Sequence, residues 1–310
     1  MRKKEDYLDK IKGAILGFAI GDAMGAPLEF SNAGRTVEGF EPSPKKGLRP
    51  GQYTDDTQHL EIGLDSILAS NGDINLQDQA SRLVQWYKSG EARSIGRTTE
   101  LAVKNLMEGK NYKQSGINHI NACGSLGLSR LLPYSLVSAV SRYPNKIEDS
   151  DIKKIMAITH AHKRVYDMGR LFNYFVQDVA NGRKPKETLD MIIFENNFLN
   201  QRIRKKLGNV RDLSKEDKNY KEVIKKIGSS GFIEDVIFSA IYSTIEGSSF
   251  EEAVLISANG EGDSDSRAAL TGALYGLDVG ASRIPDNLKD NLERNKDLER
   301  KAGEIYYLKK

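Results

Sequence analysis

Two short stretches of the chain concentrate oxygen ligands. In GQYTDDTQHLEIGLDSIL, residues 51–68, Thr54, Asp55, Asp56 and Thr57 stand side by side, and in ANGEGDSDSRAALTGALYG, residues 258–276, Asp263, Asp265 and Ser266 do the same. Each alone reads equally well as a helix N-terminus, because Thr, Ser and Asp cap helices and acidic residues in a first turn are favoured by the helix dipole. Together they offer more than capping. Thr54, Asp55 and Asp56 facing Asp263, Asp265 and Ser266 would supply enough oxygen for two divalent cations, whereas four clustered carboxylates without a cation would repel and raise one another's pKa. Ligation by oxygen alone favours Mg²⁺ or Mn²⁺ over zinc. His59 follows the first quartet and carries no assigned role.

The elements that must carry these residues are helices. Leu60, Leu64, Ile67 and Leu68 share one helical face behind the first quartet, and Leu270, Ala273, Leu274 and Leu277 share one behind the second. Gly260 and Gly262 permit a sharp entry to the latter. Gly13, Gly17 and Gly21 recur every four residues among Ile11, Ile15 and Phe18, predicting a buried helix that a neighbouring backbone approaches closely. Ala268, Gly272 and Gly276 form a similar stripe. Further helical patterns run from Asn75 to Tyr87, Thr98 to Met107, Asp151 to His160, Asp167 to Val179, Phe232 to Ile245 and Phe250 to Ala258. Strand-like alternation is nearly absent. A polar Gly/Pro-rich loop follows Gly25-Ala26-Pro27 as far as Pro50, and residues 200–228 read as a lysine-rich, weakly periodic, solvated helical excursion.

Composition sets outer limits. The chain has 310 residues, 39% hydrophobic and 29% charged, with a mean hydropathy of −0.51, a soluble globular profile compatible with one large helical domain. A net charge of +3 is too small to imply nucleic acid as a partner. The single cysteine, Cys123, excludes an internal disulfide framework, suits packing and fits a reducing compartment. Glu5, Asp6 and Asp9 spoil the basic region a signal peptide needs, and the apolar run after them is too short to span a bilayer. A cytoplasmic protein without membrane association is expected.

IGDAMGAPLEF, GQYTDDTQ, ITHAH and GEGDSDSRAALTGALYG, in that order, resemble the ADP-ribosylglycohydrolase family, which includes dinitrogenase reductase-activating glycohydrolases and ADP-ribosylarginine and ADP-ribosylserine hydrolases. The resemblance covers Ile11 to about Pro285. It implies one all-α, orthogonal helical bundle over residues 1–310, with the segment at 200–228 as an excursion, and a binuclear Mg²⁺ or Mn²⁺ centre at the bottom of an ADP-ribose cleft. By matched position the metal ligands are Thr54, Asp55, Asp56, Asp263, Asp265 and Ser266. The implied reaction is hydrolysis of the glycosidic bond at the ribose C1″, releasing ADP-ribose from a modified protein, by a protein expected to be monomeric. Asp56 and Asp263 are candidates for the general base, and Glu29 matches an acidic loop residue that shields the metals or contacts substrate; a solvated loop acid is the alternative.

For the pyrophosphate, Gly96, Arg97, Thr98 and Thr99 stand at a helix start, where an anion or a simple cap fits. His160 matches the family's Thr-His near the ligand, or else finishes a helix by bonding its last carbonyls. Gly124 and Ser125 belong to GSLGLSR, which departs from the Gly-Asn-Gly-Ala-x-Met-Arg-like loop of relatives: Ser125 replaces Asn and Leu126 replaces Gly, which puts ligand geometry in doubt. Ser266 stands for Thr, and Arg267 follows where a small or aliphatic residue is usual. Competing expectations are a non-catalytic ADP-ribose-binding relative, or a hydrolase of small-molecule or nucleic-acid ADP-ribose conjugates.

Overall fold

The helical periodicities become fifteen α-helices in a computed structural model, which describes residues 2–31, 34–140, 147–195, 199–215 and 219–308. In chain order they are α1 (Arg2–Gly25), α2 (Asp55–Ala69), α3 (Leu76–Lys88), α4 (Arg97–Met107), α5 (Gly127–Val140), α6 (Asp149–Ala157), α7 (Lys163–Ala180) and α8 (Pro185–Phe194). They continue with α9 (Gln201–Leu213), α10 (Tyr220–Ile227), α11 (Ile233–Glu246), α12 (Phe250–Ala258), α13 (Ser264–Val279), α14 (Asp286–Asp290) and α15 (Asn295–Tyr307). Among the described residues no strand forms, only isolated bridges, so the all-α expectation holds.

α1 and α13 pack against each other more extensively than any other pair, and the two small-residue stripes are the reason. A Cβ on Gly17 would stand 2.2 Å from the carbonyl oxygen of Gly272, and one on Gly272 would stand 2.0 Å from that of Gly17. Gly13 meets Gly276 in the same reciprocal way, Gly21 abuts the Ala268 carbonyl, and Gly25 abuts the backbone of Ser264 and Asp265. Nothing larger than hydrogen fits between these backbones. The last contact brings the end of α1 against the start of α13, where the second acidic cluster begins. Around this pair one apolar cluster runs from Ile11 to Tyr306, with α2, α5, α7, α11 and α12 contributing Leu60, Leu64, Leu131, Phe172, Ile237 and Val254.

Two expectations need correction. The lysine-rich segment is not simply solvated: Ile203, Leu207 and Val210 on α9 and Val223 and Ile224 on α10 are buried, and Arg202 and Lys206 pair with the buried Glu234 of α11 at 2.5 and 2.8 Å. Residues 216–218 of that segment lie outside the described residues. The helix expected to reach His160 ends at Ala157, because the backbone of Thr159 and Ala161 pairs instead with Ile117, at 3.0 Å in each direction. The loop between α1 and α2 has local structure of its own. Apart from residues 32 and 33, which lie outside the described residues, it carries a short 3₁₀ turn at Pro44–Lys46 held by paired backbone bonds between Ser43 and Leu48, and Ser43 Oγ donates to the Ala26 carbonyl at 3.1 Å.

Candidate active site

The two acidic helix starts meet. Ser266 Oγ, in the first turn of α13, donates to Asp56 Oδ2, in the first turn of α2, at 3.0 Å across 210 residues of sequence. Beneath them lies Asp22, a fully buried carboxylate on α1. Its Oδ1 accepts from Thr54 N and Oγ1 at 3.0 and 2.8 Å, and its Oδ2 accepts from Thr57 N and Oγ1 at 2.9 and 2.6 Å. Asp22 therefore satisfies orphan donors of the α2 start and fixes the angle at which Asp55 and Asp56 leave it. Sequence reading missed this role. The available signal was a lone carboxylate in the apolar, glycine-striped half of α1 that follows Lys12.

A cleft of about 340 Å³ opens above this floor, within the range of small-molecule sites. Asp55, Asp56, Asp263, Ser266, Glu29, Gly96, Arg97, Thr98, Gly124, Ser125 and His160 all line it, so most of the residues expected at the site stand around one cavity. Two expected ligands do not line it. Thr54 is buried with its hydroxyl proton committed to Asp22, and Asp265 is buried with its Oδ2 2.7 Å from Lys46 Nζ.

The electrostatics fit a cation. Burial first, and repulsion from neighbouring carboxylates second, push the pKa values of Asp55, Asp56 and Asp263 well above the usual carboxylate range. Asp263 Oδ1 is buried without a hydrogen-bond partner. Carboxylate oxygens of Glu29, Asp263 and Asp265 lie within 4.8 Å of one another, close enough to share an ion, and the Lys46 ammonium pairs with both Glu29 and Asp265. Burial opposes ionisation of Asp265, but the Lys46 charge holds its pKa below normal. Glu29 is pushed up to about 7 by burial and by Asp265, with Lys46 pulling the other way. A positive charge thus already stands among these acids, and it comes from a loop lysine that no sequence pattern marks. An all-oxygen donor set with an orphaned carboxylate oxygen suits a hard divalent ion, whose place among these acids the Lys46 ammonium partly takes.

The cleft walls differ from the floor. Gly96 caps α4 without any side-chain bond, which leaves the first backbone N–H groups of that helix, on the cleft wall, without a side-chain acceptor. Phe30 and Phe232 are exposed aromatics on the rim, and Phe30 holds φ at 46° while its N–H donates to the Gly262 carbonyl at 2.7 Å. Leu126, where relatives carry Gly, does not adopt a positive φ. Arg267 is fully buried; its Nε and Nη2 donate to the carbonyls of Ser257 and Glu261 at 2.9 and 2.8 Å, bracing the turn that enters α13. Cys123 packs in the core with its sulfur 3.3 Å from His162 Nδ1. His59 is buried against Trp86, with ring centroids 4.7 Å apart and edge-on.

Comparison with known proteins places this geometry. The family model described as ADP-ribosylglycohydrolase matches residues 3–309, beyond the span from Ile11 to Pro285 that the motifs delimit. The chain is similar to ADP-ribosylarginine hydrolase Tri1 of Serratia proteamaculans, at 26% identity over 98% of this chain and 81% of that protein. It is also similar to ADP-ribosyl-[dinitrogen reductase] glycohydrolase of Rhodospirillum rubrum, at 26% identity over 94% of this chain and 92% of that one. A solved structure titled "ADP-ribosylglycohydrolase-related protein complex" superposes with a TM-score of 0.81 at 22% identity, covering 99% of this chain and all of that one, which shows a shared fold. With the family matched over nearly its whole length, this fold and these two converging acidic helix starts, the chain belongs to the ADP-ribosylglycohydrolase family.

Proposed function

We propose that this protein is a divalent-metal-dependent hydrolase that releases ADP-ribose from a modified protein side chain. The carrying observation is the Ser266–Asp56 bond at 3.0 Å, which joins the two acidic clusters under a single cleft. In this reading Thr54, Asp55, Asp56, Asp263, Asp265 and Ser266 hold two Mg²⁺ or Mn²⁺ ions. When bound, the ions supply fixed positive charge for the ribose hydroxyls and a water of lowered pKa. Asp263 Oδ1, buried and unpaired, is the better placed of the two candidate bases to take a proton, because both oxygens of Asp56 already accept from hydroxyls, Ser129 at 3.4 Å and Ser266 at 3.0 Å. The remaining carboxylates stabilise positive charge developing at C1″. Glu29, at the mouth, closes the acidic floor, and the uncapped start of α4 with Arg97 receives the pyrophosphate.

Relatives named ADP-ribosylarginine hydrolase make arginine-linked ADP-ribose the first substrate to try. The test is release of ADP-ribose from arginine-linked, serine-linked and small-molecule conjugates, with Mg²⁺, Mn²⁺ or chelator, alongside calorimetric titration of free ADP-ribose. Turnover with either ion and none with chelator is expected. Binding of ADP-ribose without turnover on any conjugate would replace this reading with a non-catalytic binder, and absence of binding would remove the nucleotide.

A further inference from the structure

Arg130 and Arg267 are the largest fully buried side chains among the described residues, and no carboxylate among those residues meets the Arg130 guanidinium. Its two partners are neutral: Nη1 stands 2.6 Å from His59 Nδ1, and Nη2 donates to Thr159 Oγ1 at 2.7 Å. Its Nε has no partner, and burial lowers its pKa to about 9. A buried charge held only by a ring nitrogen and a hydroxyl is expensive. Packing alone gives no reason to keep it.

One arrangement of the protons gives each contact of this network a donor and an acceptor, and it leaves only the buried Arg130 Nε and His59 Nε2 without partners. A guanidinium can only donate. His59 Nδ1 must therefore accept, which places the proton of that ring on Nε2. Thr159 Oγ1 likewise accepts from Arg130, and the acceptor in reach of its single hydrogen is His160 Nδ1, at 2.9 Å. With Nδ1 accepting, the His160 proton lies on Nε2. That atom borders the cleft against Gly124, where an added Cβ would stand 2.9 Å away, and the Ile117 pairing of Thr159 and Ala161 holds the backbone on either side. Burial and the Arg130 charge lower the His160 pKa to about 3, so the ring stays neutral.

We propose that Arg130 is a positioning residue which, through Thr159 Oγ1, fixes His160 as its Nε2–H tautomer, so that the cleft presents a neutral hydrogen-bond donor to an acceptor oxygen of the bound nucleotide. Free histidine offers both tautomers, and the other one would present a lone pair to the cleft and repel the same oxygen. The identity of the ligand rests on the proposed function; the proton arrangement does not.

The first measurement is the long-range ¹H–¹⁵N spectrum of protein labelled at its four histidines, taken without ligand. His160 and His59 should each show a bare Nδ1 and a protonated Nε2. Thr159→Val should leave His59 as it is, release His160 into a mixture of tautomers and weaken ADP-ribose binding about tenfold in calorimetry. Thr159→Ser, which restores the hydroxyl, should recover both. A wild-type His160 protonated at Nδ1, or present as a mixture, overturns the inference whether or not any variant folds. So does a Thr159→Val protein with an unchanged His160 signature. If wild-type protein shows the expected tautomer yet binds no ADP-ribose, the nucleotide reading fails and the relay stands.

Discussion

Replacing Asp22 by Asn tests whether a buried carboxylate orients the α2 start. The side chain keeps its size, and one oxygen still accepts from one threonine. The new amide faces the other threonine, whose backbone N–H loses its acceptor in a fully buried place. An unsatisfied buried donor costs about 1–3 kcal/mol, and the lost charge-assisted bonds cost about 1.5–3 kcal/mol more. Removing one negative charge also relieves repulsion on Asp55 and Asp56, which Asp22 helps to push up, so a net loss of about 3 kcal/mol is expected after this offset. For a chain of 310 residues, at about 2.1 cal/mol/K per residue, that corresponds to a drop in Tm of about 5 °C. The assays are calorimetric melting of the metal-free protein and a titration with Mg²⁺, for which affinity should fall at least tenfold as Asp55 and Asp56 lose their fixed exit angle. Burial and Asp265 raise the pKa of Asp22 while the threonine donors lower it. If the group were protonated in the native protein, Asn would replace it at almost no cost. A stability change below about 1 kcal/mol with normal Mg²⁺ binding would therefore refute the reasoning, because four converging donors require an ionised acceptor.

Two other outcomes follow from the Lys46 contacts. Lys46→Met should tighten Mn²⁺ binding at least tenfold in calorimetry, since a unit charge a few ångströms from a divalent ion opposes it by several kcal/mol at an effective dielectric of about 20; an unchanged affinity would mean the ammonium does not compete for the site. Glu29 has a pKa of about 7 in the fold against an ordinary 4.5, so the native state binds the extra proton between those values and loses stability as pH rises through that window. Compared with Glu29→Gln, metal-free wild-type protein should lose at most about 3 kcal/mol between pH 5 and 8 in urea unfolding, and parallel pH profiles would contradict this.

The parts of this site that were legible in sequence are those whose chemistry is local. Asp55 and Asp56, or Asp263 and Asp265, sit beside hydroxyls at a helix start, and residue type plus spacing suffices to mark them. The glycine stripes at 13, 17 and 21 and at 272 and 276 were legible for the same reason, though which stripe met which was not. Asp22, Lys46 and Arg130 act through partners dozens to hundreds of residues away. Nothing around an aspartate in the apolar half of α1, a lysine in PKKG or an arginine ending GSLGLSR reveals those partners. The α9 segment misled because its charged surface diluted a true 203, 207, 210 spacing.

The backbone contact between α1 and α13 works as a ruler. Most separations in a protein core are set by the lengths and rotamers of intervening side chains, and they drift as those side chains exchange or repack. Here the distance from the helix carrying Asp22 to the helix carrying Asp265 is set by carbonyl oxygens resting against glycine Cα atoms, with no rotamer to adjust. The gauge has no slack in either direction: it cannot widen without losing the contact, and it cannot narrow at all. Heating should therefore leave the spacing of the acidic floor constant until the whole fold melts. The two helices would then fail as a pair, together with everything they align.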